Sequence, residues 1–204
     1  MAGSRLKIAN ISWSELYRDT VELSKKILVS GFIPQKLVVI ARGGLVLGRL
    51  LSDLLGVKDI TIIPVSFYQG IGSTNEKPVI LKEIDDKNLG GKVVLIVDDI
   101  VDTGETLQAV LEYVQRFNPK ELRSAALYVK PWAKILPDYF VRVVDVWVVF
   151  PYELRETLEK LPEEYVELLS LDAETIEDIK TIEEYTRNKA QYNEEVEGKS
   201  NGLL

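Results

Sequence analysis

The stretch Val93-Val94-Leu95-Ile96-Val97-Asp98-Asp99-Ile100-Val101-Asp102-Thr103-Gly104-Glu105-Thr106 decides how this chain reads. Its first five residues are all β-branched or leucine, the signature of a strand buried on both faces. Two adjacent carboxylates end the run, and a third follows three residues later. Thr103-Gly104-Glu105-Thr106 then opens a segment with helical spacing. The pattern predicts a strand, a polar loop and a helix start. A helix start leaves backbone N–H groups unpaired and carries partial positive charge, so such a loop can hold a phosphate. The paired aspartates suit a ribose diol or a hydrated cation, and the economical ligand is a sugar phosphate. A plain solvated strand end is the simpler alternative, and the acid pair of a phosphorylated receiver domain is another. A receiver carries its pair near its own start. This pair lies mid-chain and is followed at once by Asp102-Thr103-Gly104.

Outward from this stretch, strands and helices alternate. Ser12-Trp13-Ser14-Glu15 has capping-box spacing. Trp13, Leu16, Tyr17, Val21, Ile27 and Leu28 predict the apolar face of a helix that stops at Gly31. Leu37 to Ile40 predicts a buried strand, Ala41-Arg42-Gly43-Gly44 a tight loop, and Leu45 to Leu55 a helix ending at Gly56. Asp59 to Tyr68 is a further predicted strand, and Gln69 to Gly91 a long polar loop or hairpin. Lys92 to Val97, Leu122 to Val129 and Val141 to Val149 complete the strands, with a helix over Thr103 to Phe117. This order implies an α/β fold: a mostly parallel sheet flanked by helices. Ligands of such sheets bind beyond the carboxyl ends of the strands. The loops at Ala41–Gly44, Asp98–Thr106 and Lys130–Trp132 should therefore share one rim. After Glu153 the composition turns to Glu and Leu with helical spacing, Pro162 and Asp172 being plausible helix starts. The expected organisation is one domain over residues 1–153 and an acidic helical extension over residues 154–204, frayed from Tyr192 onward.

Composition narrows the chemistry. The chain of 204 residues contains neither cysteine nor histidine. Thiol catalysis, disulfides and cysteine-ligated zinc are excluded, and so is the usual general base. Carboxylates, Lys, Tyr or a hard cation must carry any catalysis. The formal net charge of −7 disfavours nucleic acid as a partner, because duplex binding needs a basic face. No apolar run reaches the length of a membrane span, and residues Met1–Asn10 lack the apolar core of a secretory signal. A cytoplasmic location is the resulting expectation.

The run Val93–Thr106 resembles, without a gap, the phosphoribosyl pyrophosphate motif of the type I phosphoribosyltransferases. The resemblance spans about Leu37 to Glu153 and implies a parallel sheet flanked by helices, with a small hood. It assigns Asp98 and Asp99 to the ribose hydroxyls, directly or through Mg2+. The 5′-phosphate loop becomes Asp102, Thr103, Gly104, Glu105 and Thr106. Ala41-Arg42-Gly43-Gly44 resembles the family's pyrophosphate loop. Its glycines permit close backbone approach to an anion, Arg42 would add charge-assisted hydrogen bonds, and a non-proline cis peptide at Ala41–Arg42 is expected. Alone, Arg-Gly-Gly is more often a plain turn.

The resemblance also narrows the base. Adenine enzymes of the family usually carry Ala where this chain has Asp102, whereas 6-oxopurine enzymes carry Asp near purine N7. A carboxylate that accepts this proton would activate the nitrogen nucleophile. The plain alternative for Asp102 is a helix cap, and both roles can coexist. Lys130-Pro131-Trp132 and Trp147-Val148-Val149-Phe150-Pro151-Tyr152-Glu153 resemble the xanthine–guanine branch. Lys130 would donate to the 6-oxo group, which suits a carbonyl and not adenine's amino group. Trp147 would stack on the base, and the backbone of Val148 would read the purine edge. For Trp147 the alternative is core packing; for Lys130 it is a solvated strand end. Glu153 stands where relatives place a carboxylate near a second Mg2+. Ser66 and Tyr68 precede the long loop, which in the family closes over the reacting centre and excludes water.

The implied activity is Mg2+-dependent transfer of phosphoribosyl from phosphoribosyl pyrophosphate to guanine, hypoxanthine or xanthine. The products are a nucleoside monophosphate and pyrophosphate, a purine-salvage reaction. The implied partners are these small molecules and further copies of the chain, as homodimer or homotetramer. A phosphoribosyltransferase for adenine or a pyrimidine, and a non-enzymatic regulator that senses phosphoribosyl pyrophosphate, are the rival readings.

Overall fold

The apolar runs form parallel strands in the computed structural model, which describes residues 6–69, 76–82 and 89–200. Two compact units divide the chain: Ser14–Asp145, and Met1–Trp13 together with Val146–Leu204.

The larger unit is built on a seven-stranded sheet. Taking β1 as the short strand Ile8–Asn10 of the other unit, its strands are β2 (Lys36–Ala41), β3 (Ile60–Gln69), β4 (Glu76–Ile80), β5 (Val93–Val97), β6 (Ile100–Val101), β7 (Glu121–Val129) and β8 (Tyr139–Val143). The spatial order is β4-β3-β2-β5-β7-β6, with β8 also on β7. Every pairing is parallel except that of β3 with β4. Part of the long segment after Tyr68 is thus a hairpin partner of β3, while residues 70–75 and 83–88 lie outside the described residues.

Helices α1 (Trp13–Val29), α2 (Gly44–Leu54) and α3 (Glu105–Gln115) flank this sheet. The buried stripe of α1 is Leu16, Thr20, Leu23 and Ile27, a clean 3.6-residue period. Trp13, Tyr17 and Leu28, expected on that face, are exposed. The stripe therefore runs through Thr20, whose hydroxyl is satisfied by the carbonyl of Leu16 at 2.7 Å. Gly48 lets α2 approach β2 closely, since a Cβ there would lie 2.5 Å from a Val39 methyl. From α3, Leu107, Val110 and Val114 pack on Val38, Ile40, Ile63, Val94 and Ile96. At the amino ends of the strands, the buried Lys36 pairs with Asp59 at 2.5 Å, and Lys92 pairs with the other oxygen at 2.6 Å.

The smaller unit pairs β1 in parallel with β9 (Trp147–Val149). It continues through α4 (Leu154–Lys160), a 3-10 helix (Glu163–Leu169) and α5 (Ala173–Ser200). Val149, Leu161 and Leu169 form its buried cluster. The strand expected over Val141–Val149 is two strands, β8 and β9, with different partners and the exposed Asp145 between them. Asp172 caps α5 as expected, accepting from the backbone N–H of Thr175 at 2.8 Å. That helix runs to Ser200, beyond the expected fraying point at Tyr192, through a stretch containing Gln, Glu and Lys, which favour helix. The domain boundary expected at residue 153 falls inside this unit, between β9 and α4. Among the described residues no helix is long and apolar enough to cross a membrane.

Candidate active site

The acid pair sits in a break within a strand. Val97 lies opposite Ala125, and Ile100 lies opposite Tyr128. The strand thus resumes in the same register after Asp98 and Asp99, whereas the sequence pattern predicts a loop directly after Val97. The Asp99 carbonyl accepts from the N–H groups of Leu127 and Tyr128 at 3.0 and 3.2 Å, and Asp98 N–H donates to Ala125 at 3.1 Å. Both aspartates are buried. Asp98 Oδ1 accepts from Asp99 N–H at 3.0 Å, and Asp99 Oδ1 from Ile100 N–H at 2.7 Å. Burial pushes the Asp98 carboxyl well above the usual range, and the neighbouring Asp99 charge adds to the shift. Two carboxylates held together out of water form a site that a cation or a set of hydroxyls would relieve.

The Ala41–Gly44 loop closes directly onto that pair. A Cβ on Gly43 would lie 2.6 Å from both Asp99 oxygens, and one on Gly44 would lie 2.7 Å from the Val97 carbonyl. Only glycine fits at these two contacts. The Ala41–Arg42 peptide is cis, as expected, Arg42 is exposed, and the loop opens α2.

Beyond β6, Asp102-Thr103-Gly104 turns into α3. Gly104 takes a left-handed conformation (φ 88°) at the helix start, which a side chain would strain. Thr103 Oγ1 accepts from Glu105 N–H at 3.3 Å. A cavity of about 420 Å³ opens here, lined by Phe67, Asp98, Asp102 and Thr103–Leu107 among others. Its size suits a small ligand.

The third loop follows β7 and lies along the second. Lys130 N–H donates to the Val101 carbonyl and Lys134 N–H to that of Thr103, each at 2.9 Å. Lys134 Nζ pairs with Glu105 at 2.9 Å, and a Cβ on Gly104 would lie 3.0 Å from Ile135 N. Lys130 is buried rather than a solvated strand end. Burial lowers its ammonium pKa, offset in part by Asp102 and Asp145. Its Nζ lies 5.5 Å from the centre of the Trp132 ring, and the indole N–H of Trp132 donates to Asp102 Oδ1 at 2.6 Å. Nothing in the sequence around Trp132 marks it as a donor to Asp102. Phe67, Lys134 and Ile135 carry no local signal either, because their contacts depend on how one loop lies along another.

Trp147, Val148 and Glu153 belong to the smaller unit. Trp147 is half-buried against the Val149–Leu161–Leu169 cluster, so part of its surface serves core packing. Its backbone N–H donates to the Lys7 carbonyl at 2.8 Å, and Val148 lies opposite Ala9. Glu153 accepts from Phe150 N–H at 3.2 Å and stands at the start of α4. Among the described residues no three carboxylates gather into a metal-holding cluster.

The model of the phosphoribosyl transferase domain matches residues 12–157. The chain belongs to the phosphoribosyltransferase family. It is 35% identical over 150 residues to a xanthine-guanine phosphoribosyltransferase of Nitratidesulfovibrio vulgaris (strain DP4), covering 72% of this chain and 85% of that one. Among solved structures, the purine phosphoribosyltransferase from Pyrococcus horikoshii Ot3 matches with 36% identity and a TM-score of 0.64, over 72% of this chain and 94% of that one. The xanthine-guanine-hypoxanthine phosphoribosyltransferase of Helicobacter pylori matches with 28% identity and a TM-score of 0.61, over 75% and 98%. The three loops of this chain meet at the carboxyl ends of parallel strands.

Proposed function

We propose that the protein transfers the phosphoribosyl group of phosphoribosyl pyrophosphate to the nitrogen of a 6-oxopurine. The bond from C1′ to pyrophosphate breaks, the bond from C1′ to one imidazole nitrogen of the purine forms, and the ring proton carried on the other, N7, passes to Asp102. The observation that carries this reading is the meeting of the Gly43–Gly44 loop with the buried Asp98–Asp99 pair, beside a cavity lined by the Thr103–Thr106 loop. One side would hold the pyrophosphate, through Arg42 and backbone amides. The middle would hold the ribose, and the third part the 5′-phosphate at the start of α3. Departure ahead of attack leaves cationic character on the ribose, as in glycoside chemistry, and Asp98 and Asp99 would stabilise that charge.

The donor set fits Mg2+, which takes one or two carboxylates plus substrate phosphates rather than a full protein cage. When bound it would neutralise the leaving pyrophosphate. Asp98 and Asp99 would hold it, and Glu153 is a candidate for a second ion. Lys130 would donate to the 6-oxo group, and the family resemblance gives stacking on the base to Trp147 and reading of its edge to Val148. The named relatives support a 6-oxopurine over adenine. The family resemblance supports a homodimer or homotetramer.

The test is a panel of guanine, hypoxanthine, xanthine, adenine, uracil and orotate with the donor and Mg2+, following nucleotide formation. Conversion of at least one 6-oxopurine, with adenine and the pyrimidines poor, is expected. Conversion of adenine or a pyrimidine instead would overturn the assignment. Filter binding with RNA and DNA addresses the regulator reading, against which the net charge of −7 argues.

A further inference from the structure

We infer that Trp132 is a positioning residue, whose indole N–H fixes the Asp102 carboxylate in the orientation that receives the purine proton. The inference rests on the proposed function for the role of Asp102, and on the geometry for the role of Trp132.

Asp102 is exposed at the head of its loop, where an unrestrained carboxylate would sample several rotamers. Its Oδ1 instead accepts from Trp132 Nε1 at 2.6 Å, a short, charge-assisted contact. A carboxylate has about four lone-pair sites on two oxygens, so Oδ2 is left for a proton from the base. Trp132 is 54% exposed, which makes core packing a poor reason for its size. Its backbone is pinned on both sides, because Lys130 and Lys134 donate to the carbonyls of Val101 and Thr103. The strap over residues 130–135 therefore carries the indole at a fixed height above the loop that carries Asp102.

The same ring faces the Lys130 ammonium at 5.5 Å. A 6-oxopurine presents N7 and O6 side by side on one edge. Asp102 and Lys130, the residues proposed to meet those two atoms, both contact one indole. Trp132 thus sets the spacing of the pair that reads this edge.

The test uses the full chain in two measurements. In a nitrogen–proton spectrum the three tryptophans give three indole signals, and Trp132→Phe identifies one by deleting it. Asp102→Ala should move that signal upfield and leave the other two in place; an unmoved signal would show that the hydrogen bond is absent and overturn the inference. In kinetics, Trp132→Phe keeps the aromatic ring and removes the donor. It should lower kcat about tenfold, the worth of one hydrogen bond to a charged group, with KM for the ribosyl donor unchanged. In the Asp102→Ala background the same change should cost nothing further. A tenfold loss that persists there marks a merely structural role, and no loss in the wild-type background also overturns the inference. Failure of the wild-type protein to convert any base would refute the proposed function, and the indole signal distinguishes that result because it reads the contact without turnover.

Discussion

Gly43 faces the carboxylate of Asp99 so closely that a methyl group on its Cα would lie 2.6 Å from both oxygens. Asp99 cannot simply swing aside, because it is buried and one of its oxygens holds Ile100 N–H at 2.7 Å. The Ala41–Gly44 loop after one strand and the acid pair in the next are therefore a single fitted surface. Gly43→Ala should keep the fold, by circular dichroism, and lower kcat/KM about 10²-fold, the usual cost of a misplacement on the order of 1 Å. Unchanged kinetics would mean that the contact is not part of the working site.

Asp98→Asn should stabilise the ligand-free protein while weakening donor binding. Burial and the Asp99 charge raise the Asp98 carboxyl, so its charged form disfavours folding at neutral pH. A folded value above the unfolded one means that the stabilising, protonated state is held at low pH and lost as pH rises through the folded value. The neutral amide removes that loss. A rise in Tm of about 2–4 °C, equivalent to about 1 kcal/mol in a chain of this size, is expected at pH 7, together with weaker donor binding by calorimetry. A lowered Tm would contradict the electrostatic reading of the pair.

At the opposite end of the strands, Asp59 should matter for stability alone. Burial raises its carboxyl, but hydrogen bonds and charges from Lys36 and Lys92 outweigh this and hold it below the ordinary range. Its contribution is present above the unfolded carboxylate pKa and lost as pH falls through the lower folded value. Asp59→Ala would leave the ammonium of the almost fully buried Lys36 without its carboxylate. The expected cost is about 3 kcal/mol, the low end for a broken buried pair, because Asp59 is itself partly exposed. Urea denaturation at pH 7 and pH 3 should show the difference between variant and wild type shrinking in acid.

Lys130→Ala should lower kcat/KM for the preferred 6-oxopurine by about 10–100-fold, the range for a lost hydrogen bond to a charged group. Discrimination against adenine should narrow by a similar factor. Competition assays with both bases would register it, and unchanged discrimination would remove Lys130 from base recognition.

Much of this architecture was legible because it depends on local periodicity. The apolar runs of β2, β5 and β7 and the glycine punctuation of the Arg42 and Gly104 loops are written in consecutive residues, and their shared rim follows from parallel connectivity. Other features depend on partners far along the chain. Ile8–Asn10 is a strand only because Trp147–Val149 pairs with it, so its three residues carried no signal of their own. The division of Val141–Val149 into β8 and β9 is likewise set by two different neighbours rather than by its own apolar content. The break at Asp98–Asp99 looked like a strand end because strand and loop differ there only in whether Leu127 and Tyr128 find the Asp99 carbonyl. Trp132 was visible as a residue but not as a donor, because its acceptor lies on another loop.

The pairing of Ile8–Asn10 with Trp147–Val149 also bears on how this family diversifies. A segment proposed to govern which base is accepted leans on backbone written more than a hundred residues earlier. Grafting Trp147–Glu153 by itself into a relative would transplant half of a two-stranded ribbon. Swaps of base preference between such proteins should therefore succeed only when both pieces travel together.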